Sequence, residues 1–509
     1  MKEIHLGMDK MTLEDLIAIT REGAKVELTK ESAKRIIDTR KLVEKWVQEE
    51  RIIYGITTGF GALSDVSISK EDARQLQKNI LMSHAAGVGK SLGKKTVRAI
   101  IALRIKDLAN GHSGIRLETA SGLIDLLNKD ICPVIPEKGS VGASGDLVPL
   151  AHLALVLMGL GEAFYNGKRM TGEETLTTCG MKPIQLEAGE GLALINGTQV
   201  MTAIAALAVY DALRLSKITD IAAAISLEVL MGSRTEFDPK IHLVRPHPGQ
   251  AAAADNMLRI TQNSEIISSH QDCCRVQDAY TLRCSPQVHG ASKDAISYAE
   301  NVVVTEMNAS TNNPLIFSET DEFLLGGNFH GQPIALAMDF LCMAVSELAN
   351  ISERRIERLV NPMLSGLPAF LVEDGGLNSG FMIAQYTAAS LVSENKVLSH
   401  PACVDSIPTS ANKEDHVAMG TISARKCREI VNNSEHVIAI ELLCGAQAMD
   451  LFTNMKPGEG SMAAYQVIRD SIPHLDTDRV LSKDIATMIQ LIRSGKILEA
   501  VERNAGELK

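Results

Sequence analysis

Two prolines, Pro333 and Pro362, bracket a segment in which Ile334, Met338, Leu341, Val345 and Leu348 recur at alternating steps of four and three. That spacing places all five on one stripe of a helix. At 1.5 Å per residue the helix is roughly 40 Å long. Residues 421–452 form a second long helical candidate. Helices of this length carry wide apolar faces, and a bundle is the architecture that buries them, often continuing across subunits. The 334–348 stripe is expected to exceed what one helical neighbour covers, so that a monomer exposes much of it. The fold is expected to be mainly α, with an N-terminal region, 1–200, of short strands and loops. A long-helix bundle region, 201–509, is expected to follow.

Composition narrows the function. The chain has 509 residues, 45% apolar and 22% charged, the mix of a globular protein. Its 51 Lys and Arg stand against 62 Asp and Glu, a net charge of −11. Nothing there draws it to a phosphate backbone, and aromatics at 4% make poor stacking platforms. No nucleic-acid partner is expected. Nine cysteines, at 132, 179, 273, 274, 284, 342, 403, 427 and 444, include no C-x-x-C pair, and no H-E-x-x-H occurs. The sequence therefore supports no zinc site. Scattered cysteines in apolar segments read as reduced thiols, and the charged N-terminal stretch lacks the apolar core of a signal peptide. The longest uncharged run, Gly191 to Tyr210, carries Asn196, Thr198, Gln199 and Thr202, which marks a buried protein segment rather than a membrane span. A cytoplasmic location without membrane partners is expected.

Punctuation is densest before residue 200. YGITTGFG at 54–61 is a Gly/Thr loop. A helix is expected near 70–86, with Ser69 and Asp72 as its capping box and Gly87 as its stop. Asn166-Gly167 predicts a two-residue hairpin, and residues 315–325 predict another.

Residues 139–152, GSVGASGDLVPLAH, form a Gly/Ser loop feeding an apolar helix, with Asp146 as N-cap and Pro149 in the first turn. The plain reading is a tight turn before a buried helix. A nucleophile elbow would need Gly where Asp146 stands, and a phosphate loop would need a Lys that does not follow. A third reading fits the residue types. The unhindered amide nitrogen of Gly145 attacks the Ala143 carbonyl carbon, a five-membered ring closes with loss of water, and Ser144 loses its hydroxyl as a second water. The exocyclic methylene left behind is a strong electrophile, and glycine supplies the backbone freedom for so tight a turn.

GSVGASGDLVPLAH resembles the signature of the aromatic amino acid ammonia-lyases that carry 4-methylidene-imidazol-5-one, abbreviated MIO. YGITTGFG, SHAAGVG, GLALINGTQ, VQDAYTLRCSPQVHG, GGNFHGQPIA, ERRIERLVNP and SANKEDHVAMG are similar to further blocks of that family, in order, over residues 54–420. The resemblance implies that Ala143, Ser144 and Gly145 mature unaided into MIO, with no external cofactor and no metal. It also implies a homotetramer whose active sites are shared between subunits, with the long-helix bundle region as the oligomer core. Ser83-His84 and Glu414-Asp415-His416 resemble the branch that takes L-histidine. An imidazole needs partners for its ring nitrogens when desolvated, and a His and a carboxylate provide them.

The resemblance also assigns roles, each with a plainer reading beside it. Tyr54, otherwise a loop tyrosine, becomes the proton-abstracting base. His84, otherwise a cation at a helix C-terminus, joins Glu414 at the imidazole end of the pocket. Asn196, otherwise a turn residue, lies beside the prosthetic ring, and Phe329, otherwise a core aromatic, packs against it. Gln277, Tyr280 and Arg283 are spaced three apart and share a face if helical. They form either a solvated stripe or a substrate site, with Arg283 clamping the carboxylate through its fork and Tyr280 a second catalytic phenol. Three residues depart from the pattern: Asn312 stands where Asp is usual, Lys413 where Gln is usual and Ala418 where Ser is common. The expected reaction is loss of ammonia from L-histidine to give trans-urocanate, the first step of histidine breakdown. The alternatives are a lyase or 2,3-aminomutase acting on another aromatic amino acid, and a helical scaffold in which Ala143-Ser144-Gly145 stays an uncyclised turn.

Overall fold

The computed structural model describes residues 3–66, 68–270 and 276–509. Cys273 and Cys274 lie outside the described residues. Helix makes up 60% of the protein, in 21 α-helical segments among the described residues, as the mainly-α reading requires. Two compact units divide the chain. The first comprises Met1–Ala208, Glu300–Asp339 and Pro401–Arg425; the second comprises Val209–Ala299, Phe340–His400 and Lys426–Lys509.

The first unit holds all four small sheets among the described residues. The hairpin expected at Asn166-Gly167 pairs Glu162–Tyr165 with Lys168–Thr171, and the one expected at 315–325 pairs Leu315–Phe317 with Glu322–Leu324. The helix Lys70–His84 starts where its cap predicts, with Ser69 Oγ accepting the Asp72 N–H at 3.1 Å. It ends at Ala85, two residues before the glycine expected to stop it. The helix Lys94–Ala109 is buried from Val97 to Ala109 without interruption, so it has no polar face to offer solvent. Arg98, Arg104, Lys106 and Asp107 lie in that run and need internal partners. Residues 191–209 are buried as well, as expected of an uncharged internal segment.

In the second unit, parts of four long helices are joined by buried polar groups. The helices are Gln199–Val229, Ser285–Met307, Gln332–Val360 and Gly420–Met449. The Glu441 carboxylate accepts from Ser226 Oγ at 2.7 Å, Ser352 Oγ at 2.6 Å and Arg355 Nη2 at 3.0 Å. His289 bonds Asp220 through Nδ1 at 2.7 Å, and its Nε2 lies 3.3 Å from Arg355. Removing one member leaves an uncompensated buried charge, so the network holds the four helices in one register.

The apolar stripe corrects one expectation. Ile334, Met338, Leu341, Val345 and Leu348 are each 0% exposed within the single chain. Neighbours cover it: Ser292 Oγ donates to the Ala344 carbonyl and Ser434 Oγ to that of Val345. The exposed apolar residues of this helix lie on its other side. They include Phe340 at 44% and Met343 at 46%, with Tyr298 edge-on to the Phe340 ring at 5.9 Å. Among the described residues this helix is the one long and apolar enough to cross a membrane, and 67% of its apolar window is buried inside the protein.

Candidate active site

The 139–152 loop is held from three sides. Ala143 is buried in a cluster with Val417 and Met419. Met419 N–H donates to the Val141 carbonyl at 2.8 Å, and Gly331 N–H to that of Gly142 at 3.2 Å. Gly145 has φ +72° and pairs with Gly197; a Cβ there would collide with the Gly197 carbonyl. Half-buried Ser144 points its hydroxyl at Glu414, donating to Oε1 at 3.0 Å. The other carboxylate oxygen of Glu414 accepts from Thr409 Oγ1 at 2.7 Å.

Asp146 occupies the N-cap position of the helix Leu147–Leu157, as expected, but makes no side-chain cap bond there. Its fully buried carboxylate reaches the start of the 199–229 helix instead. It accepts the N–H groups of Val200 at 2.9 Å and Met201 at 2.8 Å, and the hydroxyl of Ser140 at 2.8 Å. Burial pushes this carboxyl up, and bonds from Thr421, Met201, Ser140 and Val200 oppose the shift. A carboxylate on the free N–H groups of a helix N-terminus is well placed electrostatically.

The helix Glu190–Ile195 locates three more of the anticipated residues. Its own position is fixed by Glu190, fully buried, which accepts from Arg116 Nε at 2.9 Å and Thr119 Oγ1 at 2.6 Å. Buried Gln77, on the 70–84 helix that ends in His84, accepts the Gly191 N–H at 2.8 Å. Leu192 and Ile56 bring the Tyr54 loop against the same element, since Cβ atoms at Gly55 and Gly189 would strike them. Asn196 is its C-cap, 3% exposed, with Oδ1 buried and unpartnered.

Tyr54 is half-buried, and its phenol oxygen accepts the Gly61 N–H at 3.1 Å. The His84 ring lies 5.3 Å from that of Phe60. Its Nδ1 is 2.8 Å from the Ile80 carbonyl and 3.1 Å from Ser83 Oγ; because the carbonyl only accepts, the tautomer that satisfies it carries the proton on Nδ1 and leaves Nε2 as the acceptor. Burial lowers the His84 pKa, opposed by the Ile80 carbonyl and by the charge of Glu414. Phe329 is half-buried, two residues before the Gly331 that bonds Gly142. The structure thus gathers Ala143, Ser144, Gly145, Tyr54, His84, Asn196, Phe329 and Glu414 in the first unit.

Gln277, Tyr280 and Arg283 belong to the second unit. Tyr280 and Arg283 share a face, as their spacing predicts: the guanidinium stacks 4.5 Å from the phenol ring, and Tyr280 is 71% exposed. Gln277 and Arg283 line a cavity of about 730 Å³ with Arg234, Glu236, His270 and Asp278.

Sequence reasoning missed two features of the first unit. The His330 and His416 rings stack within 3° of parallel at 5.7 Å, one beside Phe329 and the other two residues from Glu414. Arg104 and Asp107 form a buried pair beneath Asn196; the charges of Arg98, Arg104, Lys106 and Asp107 within the apolar run RAIIALRIKDLA were the available signal. Of the departures, Asn312 donates to Asp107 at 3.0 Å. Lys413 is exposed, and Ala418 packs in the core with Ala335 and Cys403.

Known proteins share this architecture. Histidine ammonia-lyase of Alkaliphilus oremlandii is 57% identical over 503 residues, covering 99% of each chain. The crystal structure of histidine ammonia-lyase from Trypanosoma cruzi superposes with a TM-score of 0.92 at 43% identity, covering 99% of this chain and 95% of that one. Tyrosine aminomutase from Streptomyces globisporus superposes at 0.94 with 36% identity, each chain fully covered. The sequence pattern described as aromatic amino acid lyase matches residues 11–470. This chain belongs to the aromatic amino acid lyase family.

Proposed function

We propose that this chain is a carbon–nitrogen lyase that removes ammonia from L-histidine to give trans-urocanate. The observation that carries the substrate is the meeting of Glu414 with Ser144 at 3.0 Å, with His84 close enough to feel the Glu414 charge. One of the two places that mark the histidine branch thus meets the serine of Ala143-Ser144-Gly145, and the other lies within reach of the first. Similarity of 57% to a histidine ammonia-lyase over nearly the full chain supports the same reading.

The residues present fit MIO. Position 145 admits only glycine, so no Cβ flanks the nitrogen that closes the ring. The unpartnered Asn196 Oδ1 is a buried acceptor left over beside the loop. Ala143, Ser144 and Gly145 would supply every atom of the ring, with Asn196 and Phe329 against it. Once formed, the group supplies an electrophilic methylene that helps a poor leaving group depart.

The chain's own side chains do the rest. Tyr54, oriented by the Gly61 N–H, takes the β-proton of the substrate. General-base help of this kind contributes about 10²–10⁴-fold. The bare Nε2 of His84 accepts a ring N–H of the imidazole, and Glu414 partners the ring from the other side. Arg283 clamps the carboxylate with its fork, Gln277 beside it, and Tyr280 stands near the amine. We assign this second group to the pocket of a neighbouring subunit in a homotetramer, acting in the cytoplasm.

The good superposition on a tyrosine aminomutase favours one second reading, a lyase or 2,3-aminomutase on another aromatic amino acid. A panel of L-histidine, L-tyrosine and L-phenylalanine with chromatography of the products separates them. Urocanate from histidine alone supports the proposal; a β-amino acid, or an acrylate from tyrosine or phenylalanine only, overturns it.

A further inference from the structure

Arg104 and Asp107, on the 94–109 helix, have no part in the reaction as described above. They are 0% and 2% exposed and 2.8 Å apart. A pair this deeply buried gains little stability over apolar residues of the same volume, because desolvation offsets the attraction. What it does is fix a peptide. The guanidinium donates to the Asn196 carbonyl oxygen twice, at 2.7 and 3.0 Å, and to Gln199 Oε1 at 2.9 Å. Asp107 holds the guanidinium in place and accepts Gln199 Nε2 at 3.2 Å, the Thr311 N–H at 3.3 Å and Asn312 Nδ2 at 3.0 Å.

Gly197 sits directly on this network. A Cβ there would collide with Thr311, Gln199 and Arg104. On its other side the Gly197 carbonyl accepts the Asp146 N–H at 2.7 Å and its backbone pairs with Gly145. A continuous line of close contacts therefore runs from Asp107 through Arg104, Asn196 and Gly197 to Gly145.

We propose that Arg104, Asp107 and Gln199 are positioning residues for the Ala143-Ser144-Gly145 loop. They clamp the Asn196–Gly197 peptide against which Gly145 is folded, and so set the bend from which the ring closes and the direction of the Asn196 side chain. The inference rests on the ring-forming reading above. In the step concerned, Gly145 N bonds to the Ala143 carbonyl carbon. The Ala143 oxygen leaves as water with the amide hydrogens of Gly145 and Ser144, and a carbon–nitrogen double bond forms to Ser144 N. Ser144 then loses its hydroxyl and its α-hydrogen as a second water. Only the first closure needs the bend, and a misplacement of about 1 Å costs on the order of 10²-fold in such a step.

Arg104→Lys keeps the charge and removes the fork. Intact mass against time after synthesis reads ring closure, and circular dichroism with thermal melting reads the fold. The expected variant melts cooperatively, accumulates chains at its own full encoded mass with both waters retained, and shows a lowered kcat with an unchanged KM for L-histidine. A folded Arg104→Lys that loses both waters as fast as wild type and keeps its kcat overturns the clamp. Should Arg104→Lys not fold, Gln199→Met removes only the neutral arm; slowed closure in that folded variant supports the clamp and wild-type closure overturns it. Wild-type protein that is active yet lacks the two-water deficit refutes the ring-forming reading itself, and the clamp with it.

Discussion

Ser144 and Glu414 stand 270 positions apart and meet through one hydrogen bond. If that serine becomes the electrophile, active wild-type protein weighs two waters less than its encoded chain. Ser144→Ala should keep the fold, retain at least one of those waters and lose turnover; intact-mass spectrometry and an activity assay check both. His84 makes the pH dependence specific. Burial holds its pKa below the ordinary 6.5, so the ring is neutral at pH 7 and Nε2 is free to accept. As pH falls through 6.5 the unfolded chain takes the proton first, so His84 withdraws stability from the fold over that interval, down to its own lower pKa. The acid limb of kcat/KM should therefore lie below 6.5, and His84→Gln should flatten it while lowering kcat/KM. Glu414→Gln should cost far more histidine turnover than stability, because a half-buried pocket group is lost rather than a core contact. Local chemistry made Ser144 legible, and family resemblance supplied His84 and Glu414. A dehydratable serine beside an unhindered glycine is a local pattern, whereas the Ser144–Glu414 contact depends on distant segments.

Asp146 shows where local reading stops. Its sequence neighbours predict an N-cap, and it holds that position, but its side chain caps the 199–229 helix rather than the one it precedes. Capping preference follows from residue type, while the helix served depends on which N-terminus tertiary packing brings within reach. Asp146→Ala should destabilise the fold by about 2–4 kcal/mol, the loss of a cap plus stranded buried donors, read as a lowered urea midpoint. The stripe on the 332–360 helix teaches a related lesson. Period and boundaries were correct, but wide apolar faces alone do not tell an internal neighbour from an external one. Val345, 0% exposed, should accept no charge, so Val345→Asp should fail to fold. Phe340→Asp, on the 44% exposed face, should fold as a single chain.

For the whole molecule, the outward side chains of Tyr298, Phe340 and Met343 form the apolar surface that a second copy would cover. Light scattering with parallel activity assays should find Phe340→Asp smaller and inactive, with wild type losing both size and activity together on dilution. A fully active monomer would sink the shared-site arrangement. Phe329 and Glu414 were placed at the site by family resemblance and by no local signal. They reach the first unit because residues 300–339 and 401–425 return to it, a long-range event that periodicity does not encode. The most direct test of the central claim is a time course with L-histidine, following urocanate by its ultraviolet absorbance and ammonia in parallel, for wild type and Ser144→Ala. The account predicts urocanate and ammonia in equal amounts from wild type and neither from the variant. Wild-type protein that yields no urocanate, or a Ser144→Ala variant as fast as wild type, would contradict it.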